Sequence, residues 1–141
     1  MSEPRAVLPN DEELRSILGS AHTVAVVGLS SKTSRPSHVV AAYLQGKGYR
    51  IIPVNPNENE VLGERAYPTL LDVEVPIDAV DVFRRAEHTP EIARQAVQIG
   101  AKVLWLQEGI LNEEAFRIAT DAGLDVVMGA CMMRERTRLE G

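Results

Sequence analysis

The sequence is poor in cysteine and in aromatic residues. Its one cysteine, Cys131, excludes a disulfide within the chain and suits a reducing compartment. Aromatic residues make up 4% of the total, so the core has to be built mainly from aliphatic side chains. No apolar run approaches the ~20 residues that span a bilayer. Residues 1–10 lack the apolar stretch of a secretory leader, and the expectation is a soluble, cytoplasmic protein with no membrane partner. There is no excess of positive charge either: the net charge is −5, which argues against a nucleic-acid binder. A local pocket for an anion remains compatible with that balance, since a few oriented amides and one or two cations suffice. No histidine or acidic pair has metal-ligand spacing, and neither a Gly-x-Ser-x-Gly elbow nor a P-loop pattern occurs. The expectation is therefore a binding module rather than an enzyme.

What is present is a regular alternation. Short, apolar, β-branched stretches occur at Thr23-Val24-Ala25-Val26-Val27, Tyr49-Arg50-Ile51-Ile52-Pro53-Val54, Ala79-Val80-Asp81-Val82-Phe83, Lys102-Val103-Leu104-Trp105-Leu106 and Leu124-Asp125-Val126-Val127-Met128. Near-continuous apolar runs suit strands buried on both faces of a parallel sheet. Between them lie segments with helical spacing at residues 11–18, 36–47, 89–99 and 113–122. Pro36 and Pro90 fit the first helical position, and Thr89 and Asn112 are good N-caps. Gly46, Gly48, Gly100 and Gly123 fall where left-handed caps are wanted. Strand–helix alternation with right-handed crossovers predicts a Rossmann-like, doubly wound, five-stranded parallel sheet in a single three-layer α/β/α domain over residues 1–141. Residues 56–78 are less regular and read as a long connection with a short helical turn. Ligands of such sheets sit outside the carboxyl ends of the strands, where strand order reverses.

The residues just after the first strand are therefore the leading candidates. Gly28-Leu29-Ser30-Ser31-Lys32-Thr33-Ser34-Arg35-Pro36-Ser37 leaves a buried strand and enters a helix. Gly28 permits the tight turn. The loop amides, the hydroxyls, the helix start and the charges of Lys32 and Arg35 could together surround a phosphate. Only one of the three glycines of a dinucleotide fingerprint is present, and the second strand ends in Pro53-Val54-Asn55-Pro56 rather than in an acid. Glu58 and Glu60 follow, but past the strand end, which weakens an NAD reading. Asn55 and Pro56 form a stiff turn beside the first loop. Phe83, Arg84 and Arg85 end the third strand, where the ring could stack on a ligand and a guanidinium could hold a phosphate. Gln107 and Gly109, beyond Trp105, could line the same edge. Cys131 lies near Arg134 and Arg136, and positive charge activates thiols, but an inert buried cysteine is the commoner case.

These stretches, taken in order, resemble the small stand-alone CoA-binding domain proteins, which are similar to the nucleotide-binding N-terminal domain of the succinyl-CoA synthetase alpha subunit. The resemblance is carried by Val26-Val27-Gly28-Leu29-Ser30, Arg35-Pro36-Ser37, Gly48-Tyr49 through Pro56, Gly63, Tyr67-Pro68-Thr69-Leu70 and Val80-Asp81-Val82-Phe83-Arg84. It continues through Ile99-Gly100-Ala101-Lys102, Trp105-Leu106-Gln107, Gly123 through Met128, and Cys131. It implies a Rossmann-like fold and bound coenzyme A, free or acylated, as the small-molecule partner. Carried over to this chain, Gly28, Leu29, Ser30 and Ser31 with Arg35 and Pro36 would face the phosphates. Asn55 and Pro56 would line the adenosine side, and Phe83, Arg84 and Arg85 the facing edge. The chain departs from the pattern at Asn57, where relatives often carry lysine, and at Gly129-Ala130, where they often carry Asp-Arg. Two other readings stay open: an NAD(P)-binding oxidoreductase-type domain in which Lys32 and Arg35 meet a 2′-phosphate, and a thiol- or acyl-exchange enzyme using Cys131. The sequence leaves a protein partner or a homo-oligomer undecided.

Overall fold

The computed structural model describes residues 5–140; residues 1–4 and Gly141, inside the expected domain bounds, lie outside the described residues. In chain order the elements are α1 (Asp11–Ser20), β1 (Thr23–Val27), α2 (Pro36–Gly46), β2 (Arg50–Val54), β3 (Glu60–Val61), β4 (Glu64–Arg65), β5 (Ala79–Val82), α3 (Thr89–Gln98), β6 (Val103–Leu106), α4 (Glu113–Asp121), β7 (Asp125–Met128) and α5 (Met132–Glu140). Single 3-10 turns occupy Leu70–Asp72 and Ala86–His88. The five long strands form one parallel sheet in the order β2-β1-β5-β6-β7, as the alternation predicts. β3 and β4 add a two-stranded antiparallel hairpin.

Alternation along each strand divides the core in two. Val24, Val26, Ala79, Val103, Trp105 and Val127 pack under Leu14, Ile17 and Leu18 of α1, Val40, Ala41 and Leu44 of α2 and Met132 of α5. Ala25, Val27, Val80, Val82, Leu104, Leu106 and Val126 pack under Ile92, Ala93 and Ala96 of α3 and Ala115 and Ala119 of α4. Each Val, Leu, Ile or Met side chain taken out of water contributes about 1.5–3 kcal/mol, and each alanine less than that. These two layers, with the sheet between them, are the three-layer domain.

The helix ends follow local chemistry. Asn10 and Asn112 cap α1 and α4, accepting from the amides of Glu13 at 2.8 Å and Ala115 at 2.9 Å. Thr89, expected as a cap, is instead the first residue of α3; its hydroxyl donates to the Ala86 carbonyl at 2.7 Å and holds the preceding turn. Gly46 is the last residue of α2, and the left-handed turn falls on Gly48 at φ 97°. α5 was not evident in the sequence. Only Met132 of its residues is buried. Half-buried Met133 and Leu139 pack against the same core, and Arg138 pairs with Asp11 at 2.9 Å, Lys47 with Glu140 at 3.3 Å, and Arg136 donates to the Tyr49 hydroxyl at 3.3 Å. No described helix is long and apolar enough to cross a membrane.

Candidate functional site

The chain leaves β1 for β2 on one side and returns to β5 on the other, so strand order reverses between β1 and β5. At that point the Gly28 amide donates to the Val54 carbonyl, and the Phe83 amide to the Val27 carbonyl, both at 2.8 Å. Gly28 has φ 90°, and a Cβ there would lie 2.9 Å from the Phe83 carbonyl oxygen. Glycine is thus required twice, by conformation and by space.

Beyond Gly28 the chain forms one wall of an open cleft of about 470 Å³. Gly28, Ser30, Lys32, Arg35, Pro36 and Ser37 line it, flanked by Asn55, Asn57 and Glu58 after β2 on one side of β1 and by Phe83 after β5 on the other. The loop is held by its own hydroxyls. The Ser30 amide donates to Ser37 Oγ at 3.1 Å, the Lys32 amide to Ser30 Oγ at 3.1 Å, and His38 Nδ1 lies 2.9 Å from the Ser30 carbonyl oxygen. Asn55 fastens the two walls together: its Nδ2 donates to the Leu29 carbonyl at 3.0 Å, while its Oδ1 accepts from the Asn57 amide at 2.9 Å. Its side chain thereby shapes the cleft.

The start of α2 opens on this space. Pro36 has no N–H to offer, Arg35 makes no side-chain cap, and the Ser37 amide meets no acceptor among the described residues. A helix start with a free amide attracts anions. The loop already holds one: Glu58 Oε2 accepts from the Ser31 amide at 2.8 Å. The Ser31 amide and hydroxyl, with the Lys32 charge behind them, hold the Glu58 carboxyl below the ordinary glutamate value.

A second cleft, of about 270 Å³, lies on the opposite face of the sheet. Val27, Val54, Leu70 and Ile92 form its floor, and Pro56, Arg84, Glu87 and His88 its rim. The candidate residues therefore divide. Gly28, Ser30, Lys32, Arg35, Pro36, Asn55 and Phe83 share the first cleft, and Pro56 and Arg84 border the second. Ser31 is exposed beside Glu58. Leu29 is fully buried in the core, so only its backbone serves the loop. Arg85 projects into solvent beside Glu87 at 3.6 Å, away from both clefts. Gln107 departs from the expected pocket lining: it is buried, and its Oε1 accepts from the Met132 amide at 3.2 Å, steadying the start of α5. Asn57 and Glu58 belong to the cleft but were not expected in the site, and Ser37, the last residue of the expected loop, lines it too.

Cys131 is a buried free thiol. The arginines near it in sequence are engaged elsewhere, Arg134 with both carboxylate oxygens of Glu108 and Arg136 with Tyr49 and Glu140. A groove of comparable size, about 450 Å³, lies where β7 begins, between α1 and α4. It is remote from the strand carboxyl ends and includes no candidate residue.

Comparison with known proteins identifies the family. A family model described as a CoA binding domain matches residues 22–137. The uncharacterized protein YneT of Bacillus subtilis (strain 168) is 42% identical over 124 residues, covering 88% of this chain and 92% of that one. An ADP-forming acetate–CoA ligase II of Archaeoglobus fulgidus is 32% identical over 94 residues, 65% of this chain but only 14% of the ligase. The solved structure of a hypothetical protein from Pyrococcus horikoshii OT3 superposes with a TM-score of 0.93 at 43% identity, covering all of both chains.

Proposed function

The chain belongs to the family of CoA-binding domains, and on that premise we propose that the cleft between the loop after β1 and the turn after β2 holds coenzyme A or an acyl-CoA. The observation that carries the reading is the convergence of the free Ser37 amide, Lys32 and Arg35 on a 470 Å³ space at the reversal of strand order. Amides and cations of this kind suit a diphosphate, a ligand group too highly charged to be held by one side chain alone. Arg35 can meet two phosphate oxygens at once, and Lys32 adds a mobile charge. Asn55 keeps the adenosine-side wall in place through Leu29. Phe83 presents the ring surface on the facing edge.

The protein acts as a binding module, a carrier, sensor or recruiting domain, rather than as a transferase. Burial of Cys131 and the engagement of its arginine neighbours favour this over thiol exchange. It works on a soluble small molecule in the cytoplasm.

Isothermal titration of protein unfolded and refolded to strip bound ligand, with CoA, acetyl-CoA, ATP, NAD and NADP in parallel, tests the reading. Saturable heat with CoA or acetyl-CoA, and weaker heat with the others, is expected. No heat with either CoA or acetyl-CoA at millimolar concentration overturns it.

A further inference from the structure

One anionic group already occupies the loop that should receive phosphates. Glu58 reaches across the cleft from the turn after β2, and its Oε2 accepts from the Ser31 amide at 2.8 Å. The contact joins residues 27 apart in sequence, and both partners lie at the surface rather than in a core that would force them together. Its setting is cationic, with Lys32 next in sequence to Ser31 and Arg35 on the same wall.

We propose that Glu58 is an internal competitor for the ligand, a carboxylate that a phosphate must displace from the Ser31 amide and that thereby lowers the affinity of the cleft for phosphorylated ligands. This rests on reading the cleft as the CoA site. The depressed carboxyl of Glu58 agrees with a site that favours negative charge. A carboxylate and a phosphate cannot share one N–H, and their like charges repel at contact distance. Displacement therefore sets a threshold. A ligand with two linked phosphates, able to take Ser31 while also engaging the free Ser37 amide and Arg35, overcomes the competitor. A single weak anion does not.

The test uses Glu58→Ala and Glu58→Gln, titrated with CoA and, separately, with inorganic pyrophosphate, while the Ser31 amide resonance is followed by NMR. Because Glu58 is at the surface, both variants are expected to fold, which their urea midpoints verify. Glu58→Ala should bind each ligand about five-fold or more tightly than the wild type, with Glu58→Gln between them. In all three proteins, bound pyrophosphate should move the Ser31 resonance. Unchanged or weaker binding by Glu58→Ala overturns the proposal, as does a Ser31 resonance that saturating pyrophosphate leaves in place. If none of the proteins binds CoA, yet Glu58→Ala binds pyrophosphate more tightly than the wild type, competition at Ser31 stands and the CoA reading fails.

Discussion

Gly28 and Phe83 meet backbone to backbone at the reversal of strand order, so closely that a methyl group on residue 28 would stand 2.9 Å from the carbonyl oxygen of residue 83. The two ends of β1 and β5 are thereby locked together beneath the cleft. Gly28→Ala has to relieve both this contact and the positive φ. It should cost about 1–3 kcal/mol of stability and tilt the loop that follows. Urea unfolding and CoA titration of the variant check this together. A variant as stable as the wild type with unaltered affinity would mean that the strand ends are not coupled to the loop.

Arg35 stands at the mouth of α2 with no side-chain cap of its own to make. Its guanidinium is free to serve a ligand. Arg35→Ala should weaken CoA binding by about 1–3 kcal/mol, as for a lost charge-assisted hydrogen bond, and leave the unfolding midpoint nearly unchanged. Calorimetry on the two proteins measures it, and equal affinities would remove Arg35 from the site.

Asp78 accepts from the amides of His22 and Thr23, both at 2.9 Å, and so ties the start of β5 to the start of β1. Partial burial works against its charged form, but the two amides and the Lys102 and His22 charges outweigh it and hold the carboxyl below the ordinary aspartate value. The unfolded chain then binds a proton more readily than the folded one in this range, so stability rises with pH there. The contribution is complete above the ordinary carboxylate value and is lost as pH falls through the depressed folded value. Asp78→Asn should therefore flatten the acid limb of the stability curve between about pH 4 and pH 2. Urea midpoints across pH 2–6 give the comparison, and parallel curves would contradict it.

Asp81 poses the opposite case. It is completely buried on β5 between Val26 and Trp105 in register, and neither carboxylate oxygen has a hydrogen-bond partner among the described residues. Burial pushes its carboxyl well above the ordinary value. Here the folded state holds the proton more tightly, so stability is greatest below the unfolded value and falls as pH rises toward the folded one, by up to about 1.4 kcal/mol per unit. Asp81→Asn removes that slope. The variant should gain stability relative to the wild type on going from pH 4 to pH 8, as read by urea unfolding at each pH. A difference independent of pH would show that Asp81 does not titrate in this way.

Local signals carried much of the fold. Strands buried on both faces announce themselves as apolar runs, and Gly48, Gly100 and Gly123 all adopt the positive φ expected of helix-ending glycines. The β3–β4 hairpin was hidden because Leu62 takes a left-handed conformation, φ 56°, beside Gly63 at 77°. Glycine, asparagine or aspartate normally marks such a turn, and a leucine there gives no cue. α5 was hidden because its apolar contacts are few and scattered among charges, with Met132 buried and Met133 and Leu139 only partly so.

The site divides in the same way. Gly28, Ser30, Lys32, Arg35 and Pro36 were legible because strand, loop and helix are contiguous there. Asn55 and Phe83 were legible because strand carboxyl ends converge. The place of Gln107, outside both clefts, could not be read because its partner, the Met132 amide, lies 25 residues away. The role of Glu58 could not be read for the same reason, since its contact with Ser31 exists only once the two loops are folded side by side.

The most direct measurement is amide NMR of the isotopically labelled protein through a CoA titration. Saturable shifts should concentrate on residues 28–38 and 55–58 and on Phe83, with Ser31 and Ser37 among the largest. Shifts centred instead on the groove at residues 7–9 and 116–126, or an unchanged spectrum at millimolar CoA, would show that the loop leaving β1 is not where the diphosphate sits.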